Sequence, residues 1–346
     1  MNRSTALQAW LHQQGPLQAD QLTSASSDAS FRRYYRVATR PGPTPGAACA
    51  AQPVWHQASS LIVMDAPPPQ EDCRPFVAVA DCLRAGGVRA PQVHAADLAQ
   101  GFLLLEDFGD QTLLAALGAG QAADPLYREA LDVLCRLQAI SSGTLPGYDL
   151  ARLRNEVELF PTWYLDRHLQ RPLDPAGLQV WQQTTELLLQ ACMAQPQVLV
   201  HRDYHSRNLM VQASGLGVLD FQDAVIGPIT YDLVSLLRDA YIDFPEDQQI
   251  DWLVRWWQQA RATGLPVGDD FGALYRDFEW MGVQRQLKVL GIFARLHHRD
   301  GKSAYLASLP RVLGYLESAC ARYNELRPLG RLIASQHDAL REGLSF

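Results

Sequence analysis

The sequence predicts an α+β protein of two lobes: a small mixed β-sheet lobe over residues 1–108 and a mainly helical lobe over 109–346. Three observations carry this reading. The first third holds aromatic and β-branched runs bounded by Pro and Gly. From Gly109 the pattern changes to long amphipathic segments near 123–141, 156–170, 177–194, 246–262, 270–299 and 303–322. The exception is a polar loop between two short apolar runs, Val198-Leu199-Val200 and Gly217-Val218-Leu219. With 346 residues, 47% of them hydrophobic, the chain can fill one large core or two moderate ones.

Taken in order, residues 1–14 place Ala6, Leu7, Trp10 and Leu11 at helical spacing, without the continuous apolar stretch and small-residue site of a signal peptide. Phe31–Val37 and Ser59–Met64 read as strands. Between them, Arg40-Pro-Gly-Pro-Thr-Pro-Gly-Ala-Ala excludes regular structure and marks a hairpin loop or insertion. After Pro67-Pro68-Pro69, residues 71–85 read as a helix closed by Gly86-Gly87, followed by strand-like Pro91–Ala95 and Phe102–Leu105. In the helical lobe, Trp252 and Trp256 share one helix face, the spacing of a core pair.

Charge and cysteine usage exclude several classes. Thirty basic against 37 acidic side chains leave a formal charge of −7, without the basic footprint of a nucleic-acid or anionic-membrane binder. No stretch reaches the ~18 consecutive apolar residues of a spanning helix. The six cysteines include no C-x-x-C pair, which suits neither a zinc site nor a disulfide framework and fits a cytoplasmic location. No obligate protein partner is implied.

The chemistry concentrates in His201-Arg202-Asp203-Tyr204-His205-Ser206-Arg207-Asn208, followed twelve residues after Asn208 by Asp220-Phe221-Gln222. H-R-D-x-x-x-x-N with a later Asp after an apolar strand is the spacing of phosphoryl transfer. One loop carboxylate receives the proton of an attacking hydroxyl, and an amide oxygen and a second carboxylate hold Mg²⁺ against the phosphates. Asp203 is the candidate base, with Asn208 and Asp220 the candidate metal ligands.

Together with Ser27-Asp-Ala-Ser-Phe-Arg-Arg-Tyr, Leu61-Ile-Val-Met-Asp-Ala-Pro-Pro and Gly227-Pro-Ile-Thr-Tyr-Asp-Leu-Val-Ser-Leu-Leu-Arg-Asp-Ala-Tyr, these motifs resemble the aminoglycoside phosphotransferase and choline kinase superfamily over nearly the whole chain. Within it, the segments are similar to the branch of anomeric N-acetylmuramate and N-acetylglucosamine kinases of bacterial cell-wall recycling. The resemblance implies a two-lobed protein-kinase-like fold and ATP-dependent phosphorylation of the C1 hydroxyl to an α-1-phosphate. It also implies Asp203 as base, Mg²⁺ on Asn208 and Asp220, and a tie from Asp232 to the catalytic loop.

The pattern departs from a kinase at the phosphates. Ser26 to Tyr34 contains no glycine, and the candidate lysine strand reads Leu-Ile-Val-Met-Asp. Lys288 and Lys302 are the chain's only lysines, so 28 of its 30 basic residues are arginine. Either the chain binds nucleotide without turning it over, or another cation reaches the phosphates. Arg32 and Arg33, beside the small-residue loop that ends at Ser30, are the candidates. Glu106 and Asp107 follow the apolar strand, where a hinge would offer backbone groups to adenine.

Only ten residues separate Asp220 from Tyr231, and no Ala-Pro-Glu follows, so there is no room for a peptide platform. A small acceptor is expected. At ~100° per residue, Arg285, Lys288, Arg295 and Arg299 fall within roughly 80° of one another, opposite Val283, Leu287, Leu290 and Ala294. That stripe either receives the lactyl carboxylate of N-acetylmuramate or is a solvated face. His205 either touches the acceptor or braces the loop, and Arg238 and Asp239 are candidates for sugar hydroxyls. Acidic residues at Asp239, Asp243, Glu246, Asp247 and Asp251 keep open a cationic acceptor, an aminoglycoside or another small alcohol.

Overall fold

The computed structural model describes residues 2–27, 31–40, 58–141, 143 and 145–343. The Ser30 position and the Pro/Gly-rich stretch after Arg40 lie outside the described residues. In chain order the elements are α1 (Arg3–Gln13), β1 (Thr23–Ser27), β2 (Arg33–Ala38), β3 (Ser60–Asp65), α2 (Arg74–Ala85), β4 (Val93–Asp97), β5 (Phe102–Glu106), α3 (Leu113–Gly118), α4 (Ala123–Gln138) and α5 (Leu150–Val157). A π-helix (Phe160–His168) follows, then α6 (Pro175–Met193), β6 (Gln197–Val200), β7 (Leu209–Met210), β8 (Gly217–Val218), β9 (Val225–Pro228), α7 (Tyr231–Leu237), α8 (Glu246–Ala262) and α9 (Phe271–Asp300). A 3₁₀ turn (Ser303–Ser308), α10 (Leu309–Arg322) and α11 (Arg327–Gly343) complete the chain. No helix among the described residues is long and apolar enough to cross a membrane.

The chain forms two compact units. The first is Met1–Gln111 with Met210–Asp223, and the second is Thr112–Leu209 with Ala224–Phe346. The segment around Asp220, which the sequence groups with the helical lobe, thus belongs with the sheet. Val218 N–H donates to the Arg89 carbonyl at 2.8 Å, and Gly217 lies so close to the Phe108 ring that a Cβ there would collide with it.

In the first unit five strands run in the order β1-β2-β3-β5-β4. The expectation of a mixed sheet is corrected: every pairing is antiparallel. β5 inserts between β3 and β4, so the two strands joined through α2 are never neighbours and no parallel pair arises. Phe102, Leu103, Leu104 and Leu105 are all buried, which explains why β5 reads as an unbroken apolar run. Leu7, Trp10 and Leu11 of α1 join Val37, Leu61, Val63, Phe102 and Leu104 in one core cluster. Arg3 fastens that helix, its Nε donating to Asp65 Oδ1 at 2.6 Å.

The second unit is built around α9, whose residues 278–291 are buried without interruption. A helix that is covered all round is central, and α9 packs on the π-helix, α10, α7, α6 and α5. The expected basic stripe is therefore divided. Arg285 and Lys288 are buried, whereas Arg299 is exposed and pairs with Asp300 at 2.7 Å.

Two amphipathic stretches that read as single helices break where proline removes a ladder donor. The 156–170 stretch divides into the end of α5 and the π-helix, with Pro161 in its first turn. The 303–322 stretch becomes a 3₁₀ turn and then α10, with Pro310 at its start. The runs at 198–200 and 217–219 do not pair with each other: β6 pairs with β9, and β7 with β8. Trp252 and Trp256 are both fully buried, as their spacing predicts.

Candidate active site

The loop after β6 carries Asp203 and is strapped at nearly every residue. Asp232 in the first turn of α7 accepts from the His201 N–H at 2.7 Å and the Arg202 N–H at 3.0 Å. The tie expected of Asp232 is thus present, although the helix cap is Thr230. Tyr204 donates to the Ala130 carbonyl at 2.7 Å, and Asp239 accepts from Ser206 N–H at 2.9 Å and Oγ at 2.5 Å. The Asp203 carbonyl receives the His205 N–H at 3.0 Å and the Asn208 amide nitrogen at 2.9 Å.

Arg202, immediately before Asp203, has φ of +78°. A non-glycine residue in this region is strained and persists only where its surroundings hold it. Here charged groups hold its N–H (Asp232), its carbonyl (Arg285 Nη1, 3.2 Å) and its guanidinium (Glu156 Oε1, 2.8 Å).

Glu156, at the end of α5, is the hub of this cluster. It also accepts from Lys288 Nζ at 3.0 Å and from the Tyr148 hydroxyl. Lys288 in turn donates to the Tyr231 hydroxyl at 2.9 Å. Sequence reasoning missed Glu156, Tyr148 and Tyr231, because Glu156 lies 46 residues from Arg202 and no local spacing announces the contact. The positive φ of Arg202 had no sequence signal either.

The cluster's charges act on the candidate base. Burial raises the Asp203 carboxyl, but Lys288 and Arg285, the largest of the opposing groups, outweigh it and hold the group at about 2. The carboxylate is therefore ionised at neutral pH, ready to accept a proton. Burial raises Asp232 to about 7 despite its two N–H donors. His205 is shifted down by burial and so stays neutral.

The structure brings Asp203, His205, Asn208, Asp239, Arg285 and Lys288 together in the second unit, but not all as exposed ligand-binding groups. Asp239 is engaged by Ser206 and the Tyr241 N–H. Arg238 pairs with buried Glu279 at 2.8 Å and lies 4.9 Å over the Phe278 ring. Most of the wider acidic group is likewise paired: Glu246 with Arg322, Asp251 with Arg255, and Asp243 with the Tyr315 hydroxyl, while Asp247 accepts from the Gln248 N–H.

The first unit holds the other candidates, most of them engaged by a partner. Arg32 pairs with Glu71 at 3.1 Å, while Arg33 is exposed at the start of β2. Glu106 accepts from Arg89 at 3.0 Å, and Asp107 from Arg36, Ser60 and the Gly109 N–H. Asp220, with φ of +62°, accepts from Gln222 Nε2 at 2.8 Å. Among the described residues no three His, Cys, Asp or Glu side chains gather to hold a metal ion.

The phosphotransferase enzyme family model matches residues 21–271. The chain belongs to that family. As a family member it has relatives of similar length. It is 48% identical over 323 residues to an N-acetylmuramate/N-acetylglucosamine kinase of Pseudomonas aeruginosa, covering 93% of this chain and 90% of that one. It is 46% identical over 344 residues to a protein of the same name from Pseudomonas putida, covering 96% of each. Its fold is similar to that of an ADP-bound aminoglycoside phosphotransferase, APH(2'')-Ib, with a TM-score of 0.58, 13% identity and coverage of 90% of this chain and 97% of that one.

Proposed function

We propose that this family member transfers the γ-phosphoryl group of ATP to the anomeric hydroxyl of N-acetylmuramate and N-acetylglucosamine, giving the α-1-phosphate and ADP, a reaction suited to cell-wall recycling. The observation that carries the reading is the 46–48% identity, over nearly the full chain, to kinases named for those two sugars. The chemistry rests on the Asp203 surroundings.

In this reading Asp203 orients the C1 hydroxyl and takes its proton as the oxygen attacks the γ-phosphorus, and ADP leaves from the opposite side. The straps from Asp232, Asp239, Tyr204 and Arg285 hold the base in place during attack, which is the larger part of phosphoryl-transfer catalysis.

The donors fit a hard cation. Asp220 supplies a carboxylate, and the Asn208 amide nitrogen faces the Asp203 carbonyl, so its oxygen is turned away from that group. Mg²⁺ on Asn208 and Asp220 would neutralise phosphate charge. In place of the absent strand lysine, Arg33 is the first candidate to reach the phosphates, because Arg32 is engaged by Glu71. Glu106 and Asp107 would present their backbone to adenine.

The test is ADP release with Mg²⁺-ATP against N-acetylmuramate, N-acetylglucosamine, choline, kanamycin and no acceptor, with ³¹P NMR of the product. An anomeric phosphate signal from the two sugars is expected. Turnover with kanamycin alone, or ATP binding without turnover on any acceptor, overturns the reading in favour of antibiotic modification or a nucleotide-binding pseudokinase.

A further inference from the structure

Two sets of cations belong to the catalytic loop and the helix beneath it, and they differ in what they already hold. Arg285 and Lys288 are sealed into α9 at 7% and 6% exposure, one on the Arg202 carbonyl and the other on Glu156 and Tyr231. Both are occupied in neutralising or orienting neighbours. An incoming carboxylate would have to displace Glu156 from a buried pair, which is strongly unfavourable.

Arg207 is the opposite case. It lies on the catalytic loop four residues after Asp203, is exposed, and has no carboxylate partner among the described residues. Its guanidinium is laid across the Tyr241 ring, 4.8 Å from the centroid, so its long side chain is held rather than left to wander. Tyr241 is itself fixed. The His205 ring meets it edge-on at 5.4 Å, and Phe293 of α9 packs on it at 6.2 Å and on Tyr305 at 5.1 Å.

His205 adds a second observation. Its Nδ1 is buried without a hydrogen-bond partner. That nitrogen therefore does not brace the loop by a hydrogen bond.

We infer that Arg207, clamped on Tyr241 and carried by the same loop as Asp203, is the group that recognises a carboxylate on the acceptor. The inference rests on the proposed function and deepens it. Of the two N-acetyl sugars, N-acetylmuramate carries the lactyl carboxylate and N-acetylglucosamine does not, so Arg207 sets the preference between them. A guanidinium fork matches a carboxylate bidentately, and an ammonium does not.

The test compares kcat/KM for the two sugars in wild type, Arg207→Gln, Arg207→Lys, Tyr241→Phe and Tyr241→Leu, with circular dichroism confirming that each variant is folded. A charge-assisted pair predicts that Arg207→Gln lowers the N-acetylmuramate value about 10- to 100-fold, leaving N-acetylglucosamine within about twofold. Arg207→Lys should fall between. Tyr241→Phe keeps the ring but removes the hydroxyl that Arg207 bonds, and should shift the ratio part of the way, whereas Tyr241→Leu should shift it further in the Arg207→Gln direction.

Equal losses on both sugars in Arg207→Gln would mean that the guanidinium serves phosphate or loop shape, and would overturn the inference. An unchanged ratio in a folded, active variant would overturn it as well. If wild type phosphorylates neither sugar, the proposed function itself falls, an outcome visible before any variant is made.

Discussion

Replacing Glu156 with glutamine removes one negative charge from a cluster in which Arg202, Arg285 and Lys288 face the carboxylates of Glu156, Asp203 and Asp232. Three cations are then left against Asp203 and a carboxyl, Asp232, that burial holds at about 7. Breaking a buried pair by neutralising one partner costs about 3–5 kcal/mol. The lower end applies, because glutamine keeps an acceptor oxygen and the Arg202 side chain retains 21% exposure. At about 2–4 °C per kcal/mol for a unit of this size, about 3 kcal/mol lowers the melting temperature by about 6–12 °C.

The effect on turnover follows from Arg202, whose left-handed backbone loses its guanidinium anchor one residue before the base. A small displacement of Asp203 lowers kcat by about 10- to 100-fold, with the KM for ATP near its wild-type value. Thermal melts by circular dichroism and a coupled ADP-release assay measure both quantities. In a double-mutant cycle with Lys288→Met, the double variant should lose less than the two single losses together, since each partner's removal relieves the other's uncompensated charge. A melting temperature within about 2 °C and a kcat within about twofold of wild type, in the Glu156→Gln variant, would refute the reasoning.

Asp203→Asn should lower kcat by about a thousandfold or more while nucleotide binding, followed by calorimetry, is retained; equal loss of both would remove Asp203 from its assigned role. Gly291→Ala forces a Cβ into the Leu159 backbone where α9 meets the π-helix and should destabilise by about 2 kcal/mol in urea titration. The folded pKa of Asp232, about 7, lies above its ordinary value of 3.8, so the linked stabilisation is full below pH 3.8 and is lost as pH rises through 7. Relative to Asp232→Asn, wild type should therefore lose about 3 kcal/mol between pH 5 and pH 8 in urea unfolding; parallel pH profiles would show that the group does not titrate there.

The strands around Val63 and Leu104, the buried Trp252–Trp256 pair and the loop bearing Asp203 could all be read from the sequence because each is encoded locally. Alternation, helical spacing and a polar loop between apolar runs each occupy a few consecutive residues. What escaped depends on tertiary contact. α1 has only three buried side chains, Leu7, Trp10 and Leu11, and becomes a core element through Arg3 and the sheet.

β9 is too short to carry a local signal, whereas the amphipathic spacing of Leu326, Leu329 and Ile333 leads into α11 and was missed; the Pro161 break hides inside an amphipathic pattern that runs through it. In the site, Arg285 and Lys288 were found by helical spacing, but spacing could not say that Glu156 already holds the lysine. For Arg238 and Asp239, position in the chain suggested hydroxyl-binding groups but could not show their burial. Their partners, Glu279 and Ser206, instead draw them into the interior.

The scarcity of lysine gives Lys288 a further meaning. Amine-directed reagents find two side chains in this protein, Lys288 and Lys302, and the first has its nitrogen enclosed between a carboxylate and a phenol. Acylation at that nitrogen requires the enclosure to open. The time course of its modification, read by mass spectrometry with Lys302 as the internal reference, is thus a chemical clock for the loosening of the one region on which the candidate base depends.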